Sequence, residues 1–291
     1  MKIFLDTADF NEIEQVKHVI DGLTTNPSLM NKAVESLRGK GENINLEDYI
    51  RKILKAVKGP VSLEVNSAKY EAIVEEAKLL YDKYNKVNRN VVIKIPVSTF
   101  TGEDSVTQFE SLMAIRKLKG KIPTNATLVM SVSQAVLAAK AGATYISPFV
   151  GRIDDSLKKK IGIPPDRDGY LDAELLEDIA EELVEKSINH KTTSIGSVYS
   201  VAERKHNKFH DDGIYSGVDL TEKIISVYDN YGFKTKIIAA SIRNKRQVEE
   251  LAVAGVDIVT VPFSVLLEME AHYKTKEGVK KFREDAKGLK Y

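Results

Sequence analysis

The chain has 291 residues, 43% of them hydrophobic, with 43 Lys+Arg against 42 Asp+Glu and a net charge of +1. That balance gives no support to a nucleic-acid groove or an anionic-membrane surface, and 7% aromatics without tryptophan argue against a stacking platform for single strands. The absence of cysteine excludes disulfides, thiolate metal sites and a cysteine nucleophile.

The opening run Met1–Asp6 is too short and too soon interrupted for a signal segment. No stretch approaches the roughly 18 apolar residues of a membrane span. A cytoplasmic protein with no membrane partner is expected. Short β-branched runs then alternate with longer amphipathic ones. Lys2–Asp6 predicts a strand and Phe10–Ile20 a helix, with Ile13, Val16, Val19 and Ile20 on one side. Gly22–Thr25 is a short strand, stopped by Asn26-Pro27. Leu46–Val57 reads as a helix, Val61–Val65 as a strand and Tyr70–Tyr84 as a helix. Val91–Ile95 is a strand ended by Pro96, followed by a helix at Asp104–Leu118. A strand at Ile122–Thr127, an Ala-rich helix at Ser131–Ala141 and a strand at Thr144–Val150 come next.

After residues 153–217 the rhythm resumes. A helix is predicted at Asp219–Tyr231, a strand at Lys236–Ala240, a helix at Lys245–Ala254 and a last strand at Asp257–Val261. Helices at Ser264–Tyr273 and Thr275–Ala286 close the chain. Eight strands, each followed by a helix, predict a (β/α)8 TIM barrel over residues 1–291, one domain, with a doubly wound open sheet as the alternative. The segment 153–217 far exceeds the usual loop of about 2–6 residues, and is acidic, with 14 Asp+Glu against 9 Lys+Arg. It reads as an insertion after strand 6, with a helix whose apolar face runs from Leu171 to Val184.

Side chains at barrel strand C-termini converge on one face, where active sites of this fold sit. Seven of the eight strands place a polar group there: Asp6, Asn26, Glu64, Lys94, Asn125 with Thr127, Ser147 with Arg152, and Ser241 with Arg243. Pairs such as Asp6 with Phe4, Glu64 with Ser62, and Phe149 with Ser147 share strand parity, so each pair faces one side of its strand. Lys94 lies inside Val91-Val92-Ile93-Lys94-Ile95-Pro96. Burial there disfavours the ammonium and prepares the amine to attack a carbonyl. The plainer alternative is a strand-end lysine that reaches solvent or pairs with a carboxylate. Asp6 and Glu64 offer proton transfer around that amine, or structural pairing with it. Arg152, Ser241 and Arg243 suit a phosphate or another tetrahedral oxyanion, against the alternative of two separate surface salt bridges.

Phe4-Leu5-Asp6-Thr7-Ala8, Thr24-Thr25-Asn26-Pro27-Ser28, Val92-Ile93-Lys94-Ile95-Pro96, Thr124-Asn125-Ala126-Thr127-Leu128, Ser147-Pro148-Phe149-Val150-Gly151-Arg152 and Ala240-Ser241-Ile242-Arg243 occur in this order. Together they resemble the signature segments of the transaldolase family, over about residues 1–152 and 218–287. The resemblance implies a metal-free, cofactor-free class I Schiff-base enzyme of carbohydrate metabolism, of the pentose phosphate type. By the same resemblance, Lys94 forms the Schiff base with a ketose phosphate and Asp6 takes the C4 hydroxyl proton. Glu64, Thr127 and a water move protons on the carbinolamine. Asn26, Asn125 and Ser147 hold the dihydroxyacetone hydroxyls, and Arg152, Ser241 and Arg243 the phosphate. A close branch, fructose-6-phosphate aldolase, resembles this chain with Gln at the Glu64 position and Tyr at the Phe149 position. Glu64 and Phe149 therefore point to a transferase of a dihydroxyacetone unit rather than a lyase. A transaldolase for a sulfonated ketose, and a catalytically silent sugar-phosphate-binding barrel, are the remaining alternatives. Family members form dimers and larger rings, so a homo-oligomer is expected. The insertion is read as a lid, a wall or an assembly element. His206 and His210, four residues apart, lack a carboxylate partner for zinc, and Lys158-Lys159-Lys160 reads as a solvated loop.

Overall fold

A computed structural model of the protein describes residues 1–41, 45–102, 106–160, 213–287 and 289. Within them, β1 (Lys2–Asp6), β2 (Gly22–Thr24), β3 (Val61–Glu64), β4 (Val91–Pro96), β5 (Thr124–Val129), β6 (Tyr145–Pro148), β7 (Lys236–Ala239) and β8 (Ile258–Val261) form a closed parallel barrel. Each strand pairs with the next, and β1 closes on β8. The described helices, numbered in chain order, are α1 (Phe10–Val16), α2 (Pro27–Gly39), α3 (Leu46–Ala56), α4 (Tyr70–Asn88), α5 (Glu110–Leu118), α6 (Val132–Ala141) and α7 (Val150–Lys160). They continue with α8 (Gly217–Tyr231), α9 (Lys245–Val253), α10 (Phe263–Glu270) and α11 (Tyr273–Asp285). The fold is the predicted (β/α)8 barrel.

Strand alternation divides the apolar residues into two sets. Leu5, Leu23, Ile93, Ile146 and Val259 join the main core with helix residues such as Ile13, Ile53, Ile115 and Leu220. Each such fully buried side chain stabilises the fold by about 1.5–3 kcal/mol. Phe4, Ile238 and Ile258 form a second, smaller cluster with Tyr145. Gly22 pairs with Phe4, and a Cβ there would stand 2.6 Å from the Phe4 ring, so β2 needs glycine at this point.

Local signals set most boundaries. Asp9, Asn26, Asn45, Ser131, Ser216 and Asn244 cap the N-termini of α1, α2, α3, α6, α8 and α9 with side-chain oxygens. The structure departs from several expectations. Helix α1 ends at Val16 instead of Ile20, because Asp21 is tied to Ile3 through both its N–H and its carboxylate, which turns the chain straight into β2. Helix α2 is absent from the sequence reading, although Asn26-Pro27 is an N-cap followed by a first-turn proline. Strand β5 runs Thr124–Val129 instead of Ile122–Thr127, and α5 begins at Glu110 instead of Asp104.

The expected insertion bounds also shift. Residues 150–160 form α7, and α8 starts at Gly217, so both ends of the segment belong to the barrel's helical layer. Residues 158–160 are helix instead of the expected loop, and Lys158 is 4% exposed, its charge favouring the Asp154 carboxylate, while Lys159 is solvated as expected. The helix expected over Leu171–Val184, together with His206 and His210, lies outside the described residues. Among the described residues no helix is long and apolar enough to cross a membrane.

Candidate active site

The polar groups assemble from the strand register. Glu64, Lys94 and Asn125 are neighbours in one row across β3, β4 and β5. Lys94 is 5% exposed, and its Nζ stands 3.1 Å from Glu64 Oε2 and donates to the Thr25 carbonyl at 3.1 Å. The amine thus touches a carboxylate that can accept its proton. Asn125 is fully buried; its Oδ1 accepts from Ser147 Oγ at 2.9 Å, while its Nδ2 has no partner among the described residues. The buried Thr127 Oγ1 also lacks a partner among them. Strand β5 shifts register between Ala126 and Val129, with Leu128 at φ +59°. Such a bulge re-aims the strand end beside a site. Two orphaned polar atoms in a dry interior are costly unless a ligand or water pairs them.

Asp6 ends β1. Its Oδ1 accepts from Thr24 Oγ1 at 2.6 Å. It opens on the cavity but is enclosed by the barrel, and burial pushes its carboxyl above the usual range. The Thr24 hydrogen bond and the charges of Lys94 and Arg243 oppose that rise without cancelling it.

The anion-binding candidates sit beyond strand ends. Ser147 lies near the end of β6, and Phe149 bridges to Ala240 just after β7. The Arg152 guanidinium lies 4.9 Å over the Phe149 ring, a cation–π contact that holds it at the rim. Ser241 and Arg243 are expected at the C-terminal end of strand 7. The strand ends at Ala239 and Ser241 has φ +62°, so the loop backbone, not alternation, brings both side chains inward. Arg243 Nη1 donates to Ser241 O at 3.0 Å and Ser241 Oγ at 3.1 Å, and Nη2 meets Asp155 at 2.9 Å. Gly151 lets this loop approach α7; a Cβ there would stand 2.2 Å from the Ser241 carbonyl oxygen.

Behind the loop, Arg243 N donates to Gln247 Oε1 at 2.8 Å, and Gln247 Nε2 donates to Asp154 Oδ2 at 2.5 Å. Asp154 Oδ1 accepts from Gly217 N at 2.7 Å. Burial raises the Asp154 carboxyl, partly offset by these two hydrogen bonds.

A cavity of about 200 Å³ is lined by Asp6, Asn26, Lys94, Ser147, Phe149, Arg152, Ser241 and Arg243, together with Thr24 and Thr260. Glu64, Asn125 and Thr127 are not on its wall; Glu64 reaches it through Lys94 and Asn125 through Ser147. Asn26 is also an N-cap, its Oδ1 accepting from Leu29 N at 2.9 Å. A larger cavity of about 370 Å³ between α1, α2 and α3 is lined mostly by exposed side chains and gathers no comparable buried polar groups. Thr24, Thr260, Asp155, Asp154 and Gln247 belong to the site or its support and escape the sequence reading. A threonine in an apolar strand reads as a β-branched strand former, so Thr24 and Thr260 carry no distinct signal. Among the described residues no group of His, Cys, Asp and Glu gathers to hold a metal.

A closed parallel barrel with a lysine–carboxylate pair at the strand C-termini and two arginines at the rim defines an enzyme site of the (β/α)8 class. The chain belongs to the transaldolase/fructose-6-phosphate aldolase family, whose model matches residues 3–205 and 194–291. It is 37% identical to a probable transaldolase of Carboxydothermus hydrogenoformans over 293 residues, covering 100% of both chains. It is 39% identical to a probable transaldolase of Thermoplasma acidophilum over 290 residues, covering 99% of this chain and 96% of that one. A probable transaldolase of Chlorobium phaeobacteroides is 37% identical over 296 residues, covering 100% and 98%. These relatives match in full length, so residues 153–217 are not an addition relative to them. A solved mandelate oxidase aligns over 90% of this chain and 64% of its own at 12% identity and TM-score 0.45, too distant to bear on the site.

Proposed function

We propose that this protein is a transaldolase that moves a dihydroxyacetone unit from a ketose phosphate, such as fructose 6-phosphate or sedoheptulose 7-phosphate, to an aldose phosphate through a Schiff base on Lys94. The observation that carries the reading is the buried Lys94 amine in contact with Glu64, with Asp6 on the wall of the same cavity. Glu64 takes a proton from the Lys94 ammonium, and the free amine adds to the C2 ketone. Water leaves the carbinolamine, with protons passing through Glu64, Thr127 and a water, and an iminium forms. Asp6 removes the C4 hydroxyl proton, the C3–C4 bond breaks into the iminium, and the aldehyde departs. The enamine left on Lys94 attacks the acceptor aldehyde, Asp6 returns its proton to the new alkoxide, and hydrolysis frees the ketose.

Ser147 and Asn26 on the cavity wall supply hydrogen bonds to the dihydroxyacetone hydroxyls, and Asn125 behind Ser147 holds that hydroxyl through Oδ1. Arg152, Ser241 and Arg243 bind the phosphate, and two guanidiniums at one rim favour such a dianion. Phe149 offers no hydroxyl to protonate the enamine, which favours transfer over release. The exposed Tyr273, Val279 and Phe282 of α11 support a homo-oligomer.

The test is acceptor dependence. With fructose 6-phosphate alone, free dihydroxyacetone forms far more slowly than product forms when erythrose 4-phosphate is added. Release from the donor alone at the rate of transfer makes the enzyme a lyase and overturns the proposal.

A further inference from the structure

Thr24 and Thr260 line the cavity, and the reaction steps above use neither. Both are buried, at 2% and 1% exposure. Thr24 Oγ1 stands 2.6 Å from Asp6 Oδ1 and 2.6 Å from Thr260 Oγ1, which joins β1, β2 and β8 by a chain of two hydroxyls. We propose that Thr24 and Thr260 are positioning residues for Asp6, a two-hydroxyl chain that fixes one carboxylate oxygen and leaves the other to face the reacting hydroxyl of the substrate. This rests on Asp6 acting as the base in the proposed reaction.

The direction of the chain follows from proton counting. An ionised carboxylate only accepts, so the single Thr24 proton goes to Asp6 and Thr260 must donate to Thr24. When Asp6 takes a proton from substrate, it does so on its other oxygen, so Oδ1 goes on accepting from Thr24 and the chain keeps its direction. Both states of Asp6 therefore keep a hydrogen bond without any heavy atom moving. A base that takes and returns a proton within one turnover needs that tolerance, because a buried carboxyl left unpaired in either state costs stability. Thr260 supports the Thr24 hydroxyl from the β8 side.

The charged groups facing Asp6 are Lys94 from β4 and Arg243 after β7, both favouring the carboxylate. Burial opposes them, and the Thr24 hydrogen bond is the largest influence holding the carboxyl down. Thr24→Val keeps the shape and removes the donor. The Asp6 carboxyl then rises further, and since Asp6 must be ionised to act, the acidic limb of kcat/KM moves to higher pH, by about one unit.

The experiment compares T24V, T24S, T260V and T260S with the wild-type protein. Melting curves verify folding. T24V should lose about tenfold or more in kcat, in the range of a positioned acid–base group, with little change in donor KM. Borohydride capture of donor on Lys94 should persist, because Lys94 is untouched. T24S should restore rate and pH profile, and T260V should shift the limb in the same direction by less, with T260S restoring it. A folded T24V with wild-type rate and profile overturns the proposal, as does a T24S that behaves like T24V. The carbon-13 titration of the Asp6 carboxyl, read without substrate, separates the two claims. An upward shift in T24V supports the chain even if the protein transfers nothing. No shift overturns it even if transfer is robust.

Discussion

At the scale of single residues, the site trades stability for chemistry. Burial raises the Asp6 carboxyl above its unfolded value, so the folded chain holds that proton more tightly than the unfolded one. The associated stability is present below the ordinary carboxylate range and is lost as pH rises through the folded value. Asp6→Asn removes the buried charge. It should abolish transfer yet melt above wild type at pH 8, with the gap closing on acidification below the ordinary aspartate range. A variant that melts lower at pH 8 would show that Lys94 and Arg243 outweigh burial. This scale is partly legible in the sequence. Lys94 stands out as a charge in an apolar strand, and Asp6 and Glu64 as acids at strand ends. Thr24 and Thr260 do not, because a threonine among valines has the shape the strand wants and hides its hydroxyl.

At the scale of elements, the rim arginine depends on a strut that no strand pattern reveals. Gly217 N–H, Asp154, Gln247 and the Arg243 N–H form one hydrogen-bonded line through α8, α7 and α9, buried except at its Arg243 end. Gln247→Ala leaves Asp154 and the Arg243 N–H short of a partner, at a cost of about 1–3 kcal/mol. Because the Arg243 backbone loosens while Lys94 and Asp6 stay in place, donor KM should rise severalfold with kcat nearly unchanged. A fall in kcat at constant KM would contradict this. The alternation of strands and helices is legible because periods of two and 3.6 residues differ plainly. The ends are less so. Asp21 folds back on Ile3 and shortens α1, a contact between residues 18 apart that no local window contains. Helix α7 is hidden because its buried Asp154 and Lys158 read as solvent-facing charges, and the partners of Asp154 lie on α8 and α9, far along the chain.

At the scale of the whole molecule, barrel closure is what turns separated motifs into a site. Asp6 and Thr260 lie at opposite ends of the sequence, and only the β1–β8 pairing brings them to one cavity. The eightfold rhythm makes closure legible in the sequence itself. The depth of the cavity and the hydroxyl pairing within it are not legible there, because they depend on contacts between strands far apart in the chain. Everything in the proposed reaction turns on Lys94 forming the covalent intermediate. Incubation with fructose 6-phosphate followed by borohydride reduction, read by intact mass, should leave a stable three-carbon adduct on the wild-type chain and none on Lys94→Ala. An adduct that survives in Lys94→Ala, or no adduct on a wild-type chain that still transfers dihydroxyacetone, would contradict the account.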